Sequence, residues 1–166
     1  MVISIRKATT EETPIITTLA QRIWREHYYP MVGEAQVEYM LDRYYTDASL
    51  RTQMEDGQVF WLPELNGEVI GYVAISPKGP GEYFLNKFYI DNQKRGLGFG
   101  KVILERVLAQ YPDLRELRLT VNRQNYKTIN YYFRVGFTIE ACFDFDIGNG
   151  YVMNDFKMVL KLGSPE

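Results

Sequence analysis

Phe88-Tyr89-Ile90-Asp91-Asn92-Gln93-Lys94-Arg95-Gly96-Leu97-Gly98-Phe99-Gly100-Lys101 is the stretch whose reading decides the fold. An apolar strand ending at Ile90 enters a loop that carries glycines at 96, 98 and 100 and cations at Lys94, Arg95 and Lys101. Beyond it, Val102 to Tyr111 has helical spacing, with Ile103, Leu104, Val107, Leu108 and Tyr111 on the inward face. A helix N-terminus presents unpaired N–H donors and a partial positive charge, so a strand, a glycine-rich turn and a helix start together suit a phosphate group. The glycines let the backbone approach an anion closely. The loop is not a P-loop, because no Gly-Lys-Ser or Gly-Lys-Thr follows, and its Gly-x-Gly-x-Gly run differs from the dinucleotide fingerprint. The competing reading is a tight strand-to-helix turn with solvated cations.

Working outward, Val2 to Arg6 alternates as a first strand, and Thr9 or Thr10 can cap an amphipathic helix reaching about His27, with Ile15, Ile16, Leu19, Ala20, Ile23 and Trp24 inward. Glu34 to Tyr45 predicts a shorter second helix, followed by a further turn around Ala48 to Met54. Val59 to Leu65 and Glu68 to Ser76 flank Asn66-Gly67, a pair that readily takes the positive φ angles of a tight hairpin turn. Tyr83 to Ile90 is the next strand, and Leu117, Leu119 and Val121 alternate in another. Tyr126 to Val135 reads as a helix ended by Gly136, and Phe137 to Phe145 with Tyr151 to Leu162 as a last hairpin. Hairpins together with a strand-helix-strand unit define an α/β fold with a mixed sheet and helices on its faces. Residues 1–162 are read as one domain and 163–166 as a flexible tail.

The chain has 166 residues, 19 Lys plus Arg against 21 Asp plus Glu, one His, one Cys and 13 Tyr. That length suits a single core, and the net charge of −2 argues against generic nucleic-acid binding. Cys142 alone excludes intramolecular disulfides and thiolate metal clusters, and is read as a small buried residue; no metal is expected. No apolar run is long enough for a membrane span, and Met1 to Lys7 lacks a signal core, so a cytoplasmic location is expected.

The loop resembles the signature of the GNAT superfamily of acetyl-coenzyme A-dependent N-acetyltransferases, which is Gln or Arg, two residues, Gly, one residue, then Gly or Ala. Gln93 with Gly96 and Gly98 fits, as does Arg95 with Gly98 and Gly100; the second register is chosen because Arg95 stands five residues after Ile90. The resemblance implies that amides of Arg95, Gly96, Leu97, Gly98, Phe99, Gly100 and Lys101 hold the pyrophosphate of acetyl-CoA. It implies too that main-chain groups of Phe88, Tyr89 and Ile90 bind the pantetheine. A second motif, Asn125 through Thr128 and Tyr132 to Gly136-Phe137, is similar to the family pattern Asn, two residues, Ala, three residues, Tyr, three residues, Gly-Phe, with Thr128 in place of Ala. On this match Asn125 and Thr128 contact pantetheine and Tyr132 protonates the leaving thiolate; the competing role for Tyr132 is a core aromatic. The implied fold is a mostly antiparallel sheet of about seven strands flanked by helices.

For the mechanism, the resemblance makes Ile90 the candidate oxyanion amide. Where some members carry a catalytic Glu, six residues before Ile90, this chain has Phe84, so Glu82 or Asn86 on the same strand is the candidate to order a proton-relaying water. The acceptor is expected to be a small-molecule primary amine, polyamine-like if the acids of Glu34 to Asp56 and Glu140 to Asp155 draw in a cation. Trp24, His27, Tyr28 and Tyr29 are candidates to line its site. The rival readings are a non-catalytic acyl-CoA-binding module and a protein N-terminal or lysine acetyltransferase. A homodimer is suggested by the resemblance alone.

Overall fold

The structure, a computed structural model, describes residues 2–163. The tail expected from Gly163 therefore lies almost wholly outside the described residues. The elements in order are β1 (Ile3–Lys7), α1 (Thr13–Val32), α2 (Glu34–Tyr44), α3 (Asp47–Glu55), β2 (Val59–Leu65), β3 (Glu68–Val69), β4 (Gly71–Gly79), β5 (Glu82–Ile90), α4 (Phe99–Leu108), β6 (Glu116–Asn122), α5 (Tyr126–Val135), β7 (Thr138–Gly148) and β8 (Tyr151–Lys161). The fold is mixed α/β, as the element order predicts, and its mostly antiparallel sheet with flanking helices agrees with the resemblance, with eight strands where about seven are expected because the short β3 is separate. The described residues form two compact units, 2–76 with 87–112, and 77–86 with 113–163.

In the first unit β2 pairs antiparallel with β1, β3 and β4. Asn66 and Gly67 take φ of 52° and 86°, so the hairpin turn forms where the Asn-Gly pair predicts it. One face of these strands supplies Phe60, Leu62 and Tyr72, all buried, with Ile16, Leu19, Ile23 and Trp24 of α1 also in the core. The first helix runs past Pro30 to Val32 instead of stopping near His27. Pro30 removes one hydrogen bond, to the carbonyl of the exposed Glu26, where water can replace it. The turn predicted after the second helix is a full helix, α3, because Thr46 accepts the amide of Ser49 as its cap.

The second unit is a sheet in which β6 pairs parallel with β5 and antiparallel with β8, and β8 pairs with β7. Leu117, Leu119, Val121, Met158 and Leu160 are buried, along with Ile129, Tyr132 and Phe137 of the α5 region. Gly136 ends α5 at φ 118°, as the sequence predicts. Cys142 is exposed, contrary to expectation, because β7 forms the edge of the sheet; its sulfur receives the Arg123 guanidinium at 3.4 Å.

One close approach in the first unit was not visible in the sequence. A Cβ on Gly71 would lie 2.2 Å from the Tyr89 carbonyl oxygen and 3.1 Å from the Cα of Ile90. Gly71 therefore sets how closely β4 approaches the end of β5. Gly71→Ala must push the two backbones apart and should lower stability by about 1–3 kcal/mol. Urea denaturation measures it, and a loss below about 0.5 kcal/mol contradicts the close packing.

Candidate active site

The loop after β5 is fixed by Asp91. Its amide donates to the Ile70 carbonyl at 2.7 Å, and its carboxylate accepts the Gln93 amide at 3.1 Å, capping a single 3₁₀ turn at Asn92–Lys94. The same carboxylate, 4% exposed as a residue, forms an ion pair with Arg22 of α1. Asn92 adds a bond to the Ile23 carbonyl at 3.5 Å. A buried carboxylate with an N–H donor and a guanidinium is satisfied, so it can hold the loop on α1.

Arg95 then turns back. Its Nε donates to the Ile90 carbonyl at 3.3 Å, and its terminal nitrogen lies 3.3 Å from His27 Nδ1. Arginine only donates, so Nδ1 of His27 is the acceptor in this contact. The guanidinium of Arg95 thus braces the loop. Gly96 and Gly98 have φ of 77° and 80°, and a Cβ at either would meet nothing within 4 Å. Positive φ explains both glycines, and the open space above them accommodates an anionic group. Helix α4 begins at Phe99, three residues earlier than the periodicity predicts, because left-handed Gly98 serves as its N-cap. The amides of Phe99, Gly100 and Lys101 therefore belong to its first turn and have no intrahelical partner. The Arg95 amide donates to the Asn92 carbonyl at 3.3 Å, so the amides that fit a pyrophosphate on this geometry are those of residues 96–101.

Beside the loop stands an aromatic cluster. Tyr28 lies against Trp24 at 4.6 Å between centroids and His27 at 4.7 Å; Tyr89 lies 5.6 Å from Trp24 and 5.3 Å from Tyr72. Trp24 is a core residue whose indole N–H donates to the Tyr72 hydroxyl at 3.1 Å, and Tyr72 in turn donates to Tyr45 at 3.0 Å. Burial pushes both phenols well above their ordinary range, so they stay protonated. Tyr29 points away, bonding Glu38 at 3.0 Å beside Arg25. His27, Tyr28 and Tyr89 are thus brought together near Arg95, whereas Trp24 is framework and Tyr29 belongs to an ion cluster between α1 and α2.

In the second unit, Asn125 and Tyr132 are buried at 4% and 5% exposure, and Thr128 is half-buried. The Tyr132 ring lies 5.2 Å from Phe137 and 5.6 Å from Tyr131. Glu82 does not suit a catalytic base. It stands at the opposite end of β5 from Ile90, eight residues or about 27 Å of strand away, and it faces Arg118 at 3.8 Å with its side chain 48% exposed. Arg118 also holds Glu116 at 2.8 Å and Glu140 at 2.9 Å, and so keeps the Glu140 carboxyl below its usual range.

The acidic segments are likewise less negative in space than in sequence. Glu38 pairs with Arg25, Asp47 with Arg51, Glu140 with Arg118 and Asp144 with Arg123. Arg51 lies within its own segment, whereas Arg25, Arg118 and Arg123 come from neighbouring elements, which a count within each segment misses. Among the described residues, no cluster of His, Cys, Asp and Glu suits a metal ion, and no helix is long and apolar enough to cross a membrane.

The family model for the acetyltransferase (GNAT) family matches residues 18–137, and the chain belongs to that family. It is an acetyl-CoA-dependent N-acetyltransferase. The peptidyl-lysine N-acetyltransferase YjaB of Escherichia coli is 29% identical over 168 residues, spanning 96% of this chain and 99% of that one. Among solved structures, PaiA N-acetyltransferase from Thermoplasma acidophilum in complex with coenzyme A superposes with a TM-score of 0.78 at 24% identity, covering 98% of this chain and 100% of that one. A GNAT acetyltransferase from Elizabethkingia anophelis with acetyl-CoA bound gives 0.66 at 17%, covering 96% and 98%.

Two predictions follow from these contacts. Asp91→Ala frees the loop from α1; restoring the backbone freedom of a residue or two, at about 1–2 kcal/mol each, should weaken coenzyme A binding about tenfold or more by calorimetry. Unchanged affinity contradicts the anchoring role. Asp155 on β8 is 2% exposed with Oδ1 unpartnered, and burial pushes its carboxyl from 3.8 up to about 6. The folded-state value is raised, so its contribution to stability is complete below the unfolded value of 3.8 and is lost as pH rises through about 6. Asp155→Asn should therefore gain about 2–3 kcal/mol relative to the native chain between pH 4 and pH 7 in urea denaturation. An equal difference at both pH values contradicts the buried, unpaired carboxyl.

Proposed function

We propose that the protein moves an acetyl group from acetyl-CoA to the primary amine of a small acceptor by direct attack. The observation that carries the donor side is the braced loop at residues 95–101, with open space above left-handed Gly96 and Gly98 and the free amides of α4 behind it. In this reading the Ile90 amide receives the carbonyl oxygen of the acetyl group and Tyr132 gives its phenolic proton to the departing thiolate. Support for Tyr132 comes from its place in the motif that runs from Asn125 to Phe137. Phe88, Tyr89 and Ile90 present main-chain groups to the pantetheine, and Asn125 and Thr128 meet it from the second motif. Holding the two reactants together contributes much of the rate, since effective molarities correspond to about 7–11 kcal/mol.

For the acceptor, His27, Tyr28 and Tyr89 offer aromatic walls suited to an alkylamine. Arginine pairing of four of the ten acids weakens the argument for a polyamine in particular. A lysine side chain of a protein is the second reading, favoured by the similarity to YjaB across 96% of this chain. Both acceptors share the primary alkylamine.

Thiol release with acetyl-CoA and a panel of alkylamines, amino acids, aminoglycosides and lysine peptides separates the two. Turnover on small amines above that on peptides supports the first reading; turnover on lysine in protein alone replaces it with the second. Tyr132→Phe should lower kcat/KM about 100-fold or more and leave the coenzyme A dissociation constant within about twofold. An unchanged rate rejects Tyr132 as the acid.

A further inference from the structure

Lys87, on β5 three residues before Ile90, has an environment that the donor site does not explain. Its Nζ donates to Gln53 Oε1 of α3 at 2.6 Å and to Gln58 Oε1 before β2 at 2.8 Å. It lies 5.2 Å from the centre of the Phe60 ring and 6.0 Å from that of Tyr45. Among the described residues, no carboxylate pairs with it. The facing groups are two neutral amides from α3 and the turn after it, one phenyl ring from β2, and the phenol of Tyr45, which burial keeps neutral. The residue retains some accessible surface, while its nitrogen is enclosed by these groups.

The proton count is informative. A neutral lysine amine has two N–H donors, and two glutamine carbonyls take both. Its lone pair is then left over, directed to neither glutamine. An ammonium in the same place has a third N–H with no carboxylate to receive it. We propose that Lys87 is the general base of the reaction, taking the proton from the acceptor's ammonium through ordered water. The proposal rests on the primary-amine reading above and supplies the base that Phe84 and Glu82 do not provide.

Two points of position and one of protonation support it. By the period of two, Lys87 shares a strand face with Tyr89, whose ring meets Trp24 and Tyr28 of α1. Its Cα lies about 10 Å along the strand from Ile90, and with Nζ held by Gln53 and Gln58 the proton passes to it through ordered water. Burial lowers its ammonium from 10.5 to about 7, so that half the molecules hold a neutral amine near neutral pH.

The step balances without a further reactant. The neutral Lys87 amine takes one proton from the ammonium of the acceptor and later passes it to water. The freed nitrogen bonds to the acetyl carbon as the carbon–sulfur bond breaks. The sulfur receives the phenolic proton of Tyr132, and the second acceptor proton restores that phenol. The products are the acetamide and the coenzyme thiol.

The test begins with the coenzyme-free protein labelled with ¹³C at lysine Cε, using Lys87→Met to identify the signal. Titration of Lys87 near 7 is expected, and titration near 10 overturns the proposal. In turnover with an alkylamine acceptor, the acid limb of kcat/KM should fall at the same pH. Lys87→Met should lose about 100-fold in kcat/KM, keep coenzyme A affinity within about twofold, and lose that limb. Trimethylamine, which cannot itself be acetylated, should partly restore the rate. Lys87→Arg, which keeps the charge and cannot release a proton, should be as slow as Lys87→Met; native turnover in either variant overturns the proposal.

Should Lys87→Met fail to fold, Gln58→Leu decides. Removing one acceptor disfavours the ammonium and should move both the titration and the acid limb to lower pH, a shift that a packing role for Lys87 does not produce. An unmoved limb overturns the base assignment. Loss of the Tyr132→Phe effect with the Lys87 limb intact would instead count against the acid assigned above.

Discussion

The buried carboxylate of Asp91 is the contact on which the donor side depends. A strand that ends and a helix that begins nine residues later leave a loop free to take many conformations, each residue costing about 1–2 kcal/mol to fix. Asp91 fixes it from inside by capping the 3₁₀ turn through Gln93 and by pairing with Arg22 on α1. Arg95 completes the brace between the Ile90 carbonyl and His27. The residues that remain, Gly96 to Lys101, offer an anionic group left-handed glycines and the first amides of α4, which have no intrahelical partner. The cations that mark this loop in the sequence are therefore divided in role, with Arg95 holding backbone and Lys101 exposed at the start of α4.

Much of this was legible in the residues. Asn66-Gly67 fixed one hairpin, Gly136 one helix end, and the alternation at Leu117, Leu119 and Val121 a buried strand, since each is a local preference that the tertiary structure did not oppose. The boundaries that moved did so for local reasons of geometry: left-handed Gly98 caps α4 earlier than its apolar period starts, and Pro30 sits where a lost hydrogen bond faces water. What stayed hidden depends on residues distant in sequence. Gly71 looks like an ordinary strand glycine until Tyr89 is placed against it. Asp91 reads as a loop acid until Arg22 is found, 69 residues away.

Charge shows the same limit. Segment by segment, the acids around α2 and β7 suggest a negative acceptor region, yet Arg25, Arg118 and Arg123 answer them across elements. Among the described residues, two enclosed groups without an ion pair lie elsewhere and have opposite signs: Lys87 among neutral amides and rings in the first unit, and Asp155 with an unpartnered oxygen in the second. Burial moves both toward their neutral forms, which is the condition for groups that exchange protons near neutral pH. Sequence alone flags neither, because a lysine or an aspartate on an alternating strand normally reads as a solvent-facing position.

The central claim is that the loop is built before the coenzyme arrives. Backbone ¹⁵N relaxation of the coenzyme-free protein tests it most directly. Order parameters for Gly96, Leu97 and Gly98 close to the rigid-backbone value of about 0.85, changing little when coenzyme A is added, are the predicted result. Values below about 0.6 that rise on binding would show a loop ordered by its ligand, and would contradict an Asp91-anchored site.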